Sequence, residues 1–240
     1  MMTTVLMLGS APMAVKARDW ARRGIDRLVA INNAFAIRPD WDAMIHPWDF
    51  PADRVPDTGP GQRIVTEADF VPAQNRFGGF VYGGGTMAFT AGYWVLDALA
   101  PRVLAVFGCD MHYPAKGPTH FYGNGEPDPL RPDVTLRSLE AKSARLMIMA
   151  AMQGTAVVNL SNGPSRLVMP RARLDRLTGL RPLPFRRDLA EEALACEAEL
   201  GYVVPSGRYW EQAARFDLAE IDRLDRLWLA AADMGLAATA

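Results

Sequence analysis

The sequence has few cysteines, few lysines and no excess of either charge. Its two cysteines, Cys109 and Cys196, lie far apart in apolar surroundings, which excludes a disulfide framework and a cysteine zinc site. The 26 basic and 27 acidic residues give a formal net charge of −1, so the chain shows no electrostatic footprint for nucleic acid or an anionic membrane. Among the basic residues only Lys16, Lys116 and Lys142 are lysines, which argues mildly against the lysine-bearing phosphate loop of ATP-binding proteins.

Long hydrophobic runs are also absent. No stretch approaches the roughly 18 consecutive apolar residues of a transmembrane helix. Residues 1–9 carry no basic region, and their apolar run is too short for a signal peptide. We therefore expect a soluble, cytoplasmic protein that is not transmembrane and does not bind nucleic acid. Its composition, with 50% apolar and 22% charged residues, is that of an ordinary globular protein.

Short apolar runs organise the first 170 residues. Residues 4–8 and 28–31 are apolar, and residues 13–23 between them alternate apolar and charged positions at helical spacing, which is typical of a βαβ unit. The same patterns predict strands over 41–46, 63–65, 103–107 and 156–160, and helices over 86–100 and 136–152. Residues 1–170 are therefore predicted to form an α/β core with a mostly parallel sheet.

From residue 171 onward the strand pattern disappears. Helical spacing predicts helices near 188–200, 207–215 and 218–235, which would form a C-terminal helical appendage over 171–240. Their apolar faces either pack back on the core, the interpretation we favour, or form a homo-oligomer interface. The residues of these faces are Trp210, Phe216, Leu218, Ile221, Leu224, Leu227 and Trp228.

Two segments predict loops around a site. Residues 47–83 are rich in proline, glycine and aspartate, and we interpret 47–80 as a mobile lid. Residues 111–134 form a long loop rich in glycine and proline, and such loops inside a compact domain are more often functional than idle.

Small, amide-bearing and ionisable residues follow the predicted strands. Ligands bind at the carboxyl ends of parallel strands, near the point where the strand order reverses, so we expect one ligand site there. The candidates are Gly9, Ser10, Ala11 and Pro12 after the first strand, Asn32 and Asn33 after the second, His46 and Asp49 after the third, Asp110, Tyr113 and His120 after strand 103–107, and Ser161 and Asn162 after the last.

Two glycine turns precede predicted helices and could present free N–H groups to a phosphate. The turn at residues 9–12 is neither a GxGxxG motif nor a Walker loop, and Ser10 as a helix N-cap explains it nearly as well. The turn Gly83-Gly84-Gly85-Thr86 indicates either close approach of the backbone to another group or a flexible hinge. Both interpretations stay open for this turn.

The three histidines differ in context. His120 lies in the long loop, where a histidine suits a general base near neutral pH, with an ordinary surface histidine as the alternative. His112 is as consistent with a structural role as with a functional one. No HxH or HxxxH spacing occurs, so we expect no histidine metal site.

The order of these motifs resembles the superfamily that joins bacterial sialyltransferases, motility-accessory flagellin glycosyltransferases and the archaeal 6-hydroxymethylpterin pyrophosphokinase. The first turn departs from the sialyltransferases' Gly-x-Gly-Pro-Ser, because Ala11 replaces the second glycine. The resemblance implies a Rossmann-like core of the glycosyltransferase-A variant type. The matching segments lie within residues 4–165: Leu8-Gly9-Ser10-Ala11-Pro12, Ile31-Asn32-Asn33, Tyr82-Gly83-Gly84-Gly85-Thr86, Val106-Phe107-Gly108-Cys109-Asp110-Met111-His112-Tyr113, Thr119-His120-Phe121-Tyr122-Gly123 and Asn159-Leu160-Ser161-Asn162-Gly163.

The sialyltransferase branch implies metal-independent transfer of a CMP-linked nine-carbon sugar to a glycan or small-molecule acceptor, with no cofactor required. His120 would take the proton of the acceptor hydroxyl, Tyr113 would hydrogen-bond the departing phosphate, and Asp110 would belong to the same catalytic group. The nucleotide would be held by Gly9, Ser10, Ala11, Pro12, Asn32, Asn33, Gly84, Gly85, Thr86, Ser161 and Asn162, and the substrate by His46, Asp49 and Tyr122.

Two alternatives remain open at this stage. The pyrophosphokinase branch implies ATP and a pterin-like heterocycle, with Asp110 and either Asp42 or Asp49 binding Mg²⁺. The scarcity of lysines favours glycosyl transfer over this branch. The other alternative is a nucleotide- or sugar-binding module without catalysis.

Overall fold

A computed structural model describes residues 3–113, 116–125 and 128–236. In this part of the chain, six strands form one all-parallel sheet in the order β4-β3-β2-β1-β5-β6. The predicted α/β class is confirmed. The strands are β1 (Thr4–Leu8), β2 (Arg27–Ile31), β3 (Ala43–Ile45), β4 (Arg63–Val65), β5 (Val103–Phe107) and β6 (Ala156–Asn159).

The central strands are buried on both faces. All five residues of β1 and of β5 are buried, and Leu6 pairs in register with Leu28 on one side and Ala105 on the other. Continuous apolar runs are typical of parallel strands covered by layers on both faces. This burial explains why the apolar runs 4–8 and 103–107 predict the bounds of β1 and β5.

The two layers over the sheet differ in kind. Val5 and Met7 of β1 point into a hydrophobic cluster shared with the long helices, whereas Leu6 and Leu8 point into a smaller cluster on the other face. Short 3₁₀ helices at Pro12–Asp19 and Asn32–Ile37 contribute to that smaller cluster. The α-helices are α1 (Glu67–Arg76), α2 (Phe80–Gly83), α3 (Met87–Ala98), α4 (Leu139–Met152), α5 (Arg187–Leu200) and α6 (Leu218–Leu236).

The helix predicted over residues 13–23 is wrong in type and extent, because the chain forms the shorter 3₁₀ helix there. Ala14 and Ala17 are its buried residues, and their spacing of three matches the three residues per turn of a 3₁₀ helix. Small side chains at these positions allow the segment to lie close to the sheet.

The mobile-lid interpretation of residues 47–80 is wrong for its second half. Residues 63–65 form edge strand β4, and α1 follows directly, opened by a capping box between Thr66 and Asp69. Phe70 and Ala73 of α1 are buried in the main cluster. This part of the segment is therefore a packed layer of the core.

The C-terminal helices share the core of the sheet, as the favoured interpretation predicts. Arg145 of α4 and Glu197 of α5 form a buried ion pair, with 2.7 Å between Arg145 Nη2 and Glu197 Oε2. Lys142 of α4 forms a second buried pair with Asp225 of α6. A boundary at residue 170 therefore does not separate two cores. Of the seven predicted face residues, Phe216, Ile221, Leu224 and Trp228 are buried in the main cluster and Leu227 packs against it, whereas Trp210 and Leu218 are exposed.

None of the helices in the described ranges is long and apolar enough to cross a membrane.

Candidate functional site

A cleft of about 780 Å³ opens at the carboxyl ends of β1, β2, β3 and β5. The strands added after β1 extend the sheet to one side as far as β4, and β5 returns to the other side of β1. The crevice between the ends of β1 and β5 is thus the point where the strand order reverses, which is where open α/β sheets bind ligands. The sequence-predicted residues that line the cleft are Gly9, Ser10, Ala11, Asn32, Asp49, Gly85, Thr86, Asp110, Tyr113, His120 and Tyr122.

The first turn lies against the end of β5. Gly9 N donates to Phe107 O at 2.8 Å, and Ala11 N donates to Gly108 O at 3.0 Å. A Cβ on Gly9 would lie 2.4 Å from Gly108 O, so only glycine permits this approach. The following helix begins at Pro12 with Ala11 at the N-cap, so Ser10 does not cap it.

Asn32 has an unsatisfied polar atom beside the cleft. Its φ of 50° lies in the left-handed region, where asparagine is tolerated better than most residues. Its Oδ1 is buried and has no hydrogen-bond partner within the described residues. A buried acceptor without a partner costs about 1–3 kcal/mol, so a hydroxyl or amine of a ligand would find a ready acceptor here.

The glycine-rich turn is packed against protein groups. A Cβ on Gly83 would lie 2.2 Å from Gln74 Nε2, and one on Gly85 would lie 2.6 Å from Tyr209 Oη. The close-approach interpretation of this turn is therefore observed, with side chains of the same chain as the neighbours. Gly84, which has a φ of +92°, is enclosed by Phe89 and Lys142 and is outside the cleft lining.

A closed ring of hydrogen bonds surrounds Gly85. Gly85 N donates to Thr135 Oγ1 at 3.0 Å, and Thr135 Oγ1 donates to Asp133 Oδ1 at 2.7 Å. Tyr209 Oη donates to Asp133 Oδ2 at 2.8 Å and accepts from Arg131 Nη2 at 3.0 Å. Arg131 Nη2 returns to Gly85 O at 3.3 Å. The C-terminal segment thus completes the wall of the cleft through Tyr209.

The charges of this ring are fixed near neutral pH. Burial would raise the pKa of Asp133, but hydrogen bonds from Thr135 and Tyr209 outweigh it and hold that pKa below its usual range. Burial and the negative charge of Asp133 raise the pKa of Tyr209. Tyr209 therefore remains a donor, and Asp133 remains ionised and pairs with Arg131, with 3.1 Å between Arg131 Nε and Asp133 Oδ2.

Asp110 is tied to the end of β6. Its Oδ1 accepts from Asn159 Nδ2 at 3.0 Å, and its Oδ2 accepts from Ser161 Oγ at 2.6 Å. Ser161 is outside the cleft lining, so its visible contact with the site is this bond to Asp110. Asn162 lines a separate surface pocket beside Trp20.

The His120 loop is joined to the first turn. Phe121 N donates to Ser10 O at 3.0 Å, and His120 exchanges two backbone hydrogen bonds with Gly123. The His120 ring stacks on Tyr122 at 5.0 Å between ring centres, and its partial burial lowers its pKa. Burial thus favours the neutral imidazole, which is the form that a general base requires.

The environment of Thr119 indicates which nitrogen of His120 is basic. Thr119 Oγ1 lies 2.9 Å from His120 Nδ1 and 3.1 Å from the carbonyl oxygen of Gly125. When the single hydroxyl proton is donated to that carbonyl, Nδ1–H donates to Thr119 and Nε2 carries the lone pair. Nε2 is then the atom that can take a proton.

Several predicted residues lie outside the cleft lining. His46 Nδ1 lies 2.8 Å from Pro47 O, and its ring packs 5.1 Å from that of Phe50. Pro12 and Asn33 are also not part of the lining.

The predicted pairing of Asp42 with Asp110 is wrong. Asp42 precedes β3 at the amino end of the sheet, where it accepts from Leu28 N and Arg22 at 2.7 Å each. Asp49 does share the cleft with Asp110. Across the described ranges, no three His, Cys, Asp or Glu side chains gather in a group that could hold a metal ion.

Sequence reasoning missed part of the cleft. Its lining also includes two tryptophans and two arginines, Trp48, Trp210, Arg131 and Arg208. No motif marks these residues, because they come from the segment after β3, the long loop and the C-terminal region. Comparisons with protein-family models, curated proteins and solved structures found no match.

Proposed function

We propose that this chain is a transferase that uses a nucleotide-activated donor, most specifically a metal-independent glycosyltransferase on a Rossmann-like core of the glycosyltransferase-A variant type. One observation carries the proposal. The cleft at the ends of β1 and β5 gathers residues from distant parts of the sequence that suit donor binding, leaving-group stabilisation and proton transfer. These residues are Gly9, Ser10, Ala11, Asn32, Thr86, Tyr113 and His120.

The donor side supplies polar contacts without a metal. Ser10 of the first turn lines the cleft, and Asn32 offers its unsatisfied amide oxygen, whereas the N–H groups of Gly9 and Ala11 already donate to Phe107 O and Gly108 O. Arg131 and the hydroxyl of Tyr113 line the same cleft and can hydrogen-bond a phosphate. Preorganised donors of this kind stabilise charge that develops on a departing phosphate.

The reaction that fits these groups is a single displacement. Nε2 of His120 takes the proton of the acceptor hydroxyl while that oxygen bonds to the anomeric carbon of the donor sugar. The bond from the anomeric carbon to the phosphate oxygen breaks, and the nucleoside monophosphate leaves with the electron pair. General-base catalysis of this kind typically contributes about 10²- to 10⁴-fold in rate.

The positions of the carboxylates favour glycosyl transfer over Mg²⁺-dependent pyrophosphoryl transfer. Both oxygens of Asp110 already accept hydrogen bonds from the end of β6, and Asp42 lies at the opposite end of the sheet. Asp49 is the remaining carboxylate of the predicted magnesium set that shares the cleft with Asp110.

A nucleotide screen tests the proposal. Thermal unfolding is measured with CMP, CDP or ATP at saturating concentration, in EDTA and with Mg²⁺. We expect the cytidine nucleotides to raise the midpoint in EDTA, because a ligand that binds only the folded state stabilises it. Stabilisation by ATP with Mg²⁺ alone would replace the glycosyltransferase by the pyrophosphokinase. No stabilisation by any nucleotide would overturn both enzyme proposals.

His120→Ala tests the role of the base. The variant should bind CMP like the unmodified chain and release CMP from a CMP-linked nine-carbon sugar at least 100-fold more slowly. Lys116→Ala, which changes an exposed residue of the same loop outside the cleft lining, is the control and should retain turnover. Unchanged turnover in His120→Ala would remove this residue from the mechanism.

A further inference from the structure

Trp48 is exposed on the wall of the cleft. Its side chain is 69% exposed, the highest value among the large apolar side chains in the described ranges. A tryptophan ring is a large, flat apolar surface with a π face. Because Trp48 also lines the cleft, its ring is available for stacking by a ligand there.

A tight turn presents this ring. Phe50 N donates to Pro47 O at 3.1 Å, which closes a four-residue turn with Trp48 and Asp49 at its tip. Pro47 restricts the backbone at the start of the turn. His46 packs beneath it, with its ring against Phe50 and its Nδ1 beside Pro47 O. The backbone that carries Trp48 is thus held in place by a hydrogen-bonded turn.

The residues that follow the strands lie in a fixed order along the carboxyl edge of the sheet. Neighbouring strands lie about 4.8 Å apart, and Trp48 follows β3, Asn32 follows β2, Gly9 follows β1 and Asp110 follows β5. The His120 ring packs 6.1 Å from that of Tyr113, which follows β5, and its loop is joined to Ser10. Trp48 and the candidate base His120 therefore lie on opposite sides of the first turn.

The end of the cleft at His120 is polar. Its lining there includes Tyr113, whose ring lies 6.1 Å from that of His120, and Thr119, whose Oγ1 lies 2.9 Å from His120 Nδ1. Trp48 follows β3, three strands along the sheet from β5, which Tyr113 follows. A nucleobase has a π face that stacks on aromatic rings, whereas the group being transferred must reach the base that accepts the proton.

We propose that Trp48 is the base-stacking residue of the site. The donor then lies with its nucleobase on the Trp48 ring, its ribose beside Asn32, its phosphate at the first turn and its transferred group towards His120. A ribose hydroxyl donates to the unsatisfied Oδ1 of Asn32. This inference rests on the proposed function and adds the orientation of the donor in the cleft.

The test compares a ligand that has a base with one that lacks it. The Kd values of CMP and of ribose 5-phosphate are measured by calorimetry for the unmodified chain, Trp48→Ala and Trp48→Phe. Because base stacking has a known range of strength, Trp48→Ala should weaken CMP binding by about 5- to 100-fold. Trp48→Phe should keep most of the affinity, and the Kd of ribose 5-phosphate should not change. Trp210→Ala changes the other exposed tryptophan of the cleft and tests the competing position of the base, so it should weaken CMP binding less than Trp48→Ala.

The outcomes separate this inference from the proposed function. CMP binding that is unchanged in Trp48→Ala overturns the stacking role while nucleotide binding stands. An equal loss for CMP and ribose 5-phosphate also overturns it, because the base is then not what the ring recognises. A loss in Trp210→Ala instead of Trp48→Ala places the base elsewhere and overturns the orientation. Failure of the unmodified chain to bind CMP refutes the proposed CMP donor, and the inference falls with it.

Discussion

Replacing Arg145 by methionine should remove a central connection between the sheet layer and the C-terminal helices. The Arg145 side chain is fully buried, and its guanidinium donates to both carboxylate oxygens of Glu197, at 2.8 and 2.7 Å. It also donates to Tyr93 Oη at 2.7 Å and to Phe77 O at 2.6 Å. Burial opposes its charge, but the charge of Glu197 outweighs this and raises the pKa of Arg145.

The expected loss of unfolding free energy follows from the carboxylate of Glu197, which stays buried without its partner. Glu197 is 5% exposed, and without Arg145 its carboxylate retains a bond from Trp228 Nε1 at 2.9 Å. Removing one partner of a buried ion pair costs about 3–5 kcal/mol, because the other charge remains buried without compensation. That is a large part of the 5–15 kcal/mol by which a typical domain is stable. The double variant Arg145→Met with Glu197→Leu should recover much of the loss, since both charges are gone.

Urea unfolding followed by tryptophan fluorescence measures these free energies. Arg186→Met, which removes one partner of an exposed pair with Asp188, is the control and should leave the midpoint unchanged. We expect a single transition, because the C-terminal helices and the sheet share one core. A loss below about 1 kcal/mol in Arg145→Met, or two separate transitions, would refute the reasoning.

Three further predictions use the same methods or NMR. Gly9→Ala should lower the free energy of unfolding by about 1–3 kcal/mol, because its Cβ would meet backbone, whereas Gly163→Ala, which has open space, should cost less; equal losses would contradict the close approach. The pKa of Asp133 is lowered in the folded state, so its contribution to stability is present above pH 3.8 and is lost as the pH falls through the lower folded value. Asp133→Asn should therefore reduce the loss of unfolding free energy on acidification, measured by urea unfolding. An identical pH dependence in the variant and the unmodified chain would argue against this. Tyr122→Ala should raise the pKa of His120 towards 6.5 in an NMR titration, since it uncovers the ring, and an unchanged pKa would show that burial is not the cause.

The central strands could be predicted from the sequence because they are buried on both faces. Apolar runs alone predict β1 and β5 with their observed bounds, whereas the edge strand β4 begins with the exposed Arg63 and has no such run. Helix α1 was missed because Pro72 interrupts its pattern and polar Gln74 is among its buried residues. The capping box of Thr66 and Asp69 was the available signal for this helix.

The candidate site could be predicted only where it follows a strand. Gly9 and Asp110 follow β1 and β5, the two strands at the switch point, and Asn32 follows the neighbouring strand β2. The topology therefore brings these three residues to one cleft. Tyr209 and Arg131 reach the same cleft through tertiary hydrogen bonds between distant segments. No local pattern records such bonds.

Hydrogen–deuterium exchange with saturating CMP, in EDTA, tests the central claim most directly, because it locates the nucleotide on the chain. Protection is expected in peptides that contain the lining residues 9–11, 31–32 and 85–87, at the ends of β1 and β2 and at the glycine-rich turn. Peptides around Asn162, which lies in the separate surface pocket, should exchange as before. Protection confined to other segments, or none in these three, would contradict a nucleotide site at the point where the strand order reverses.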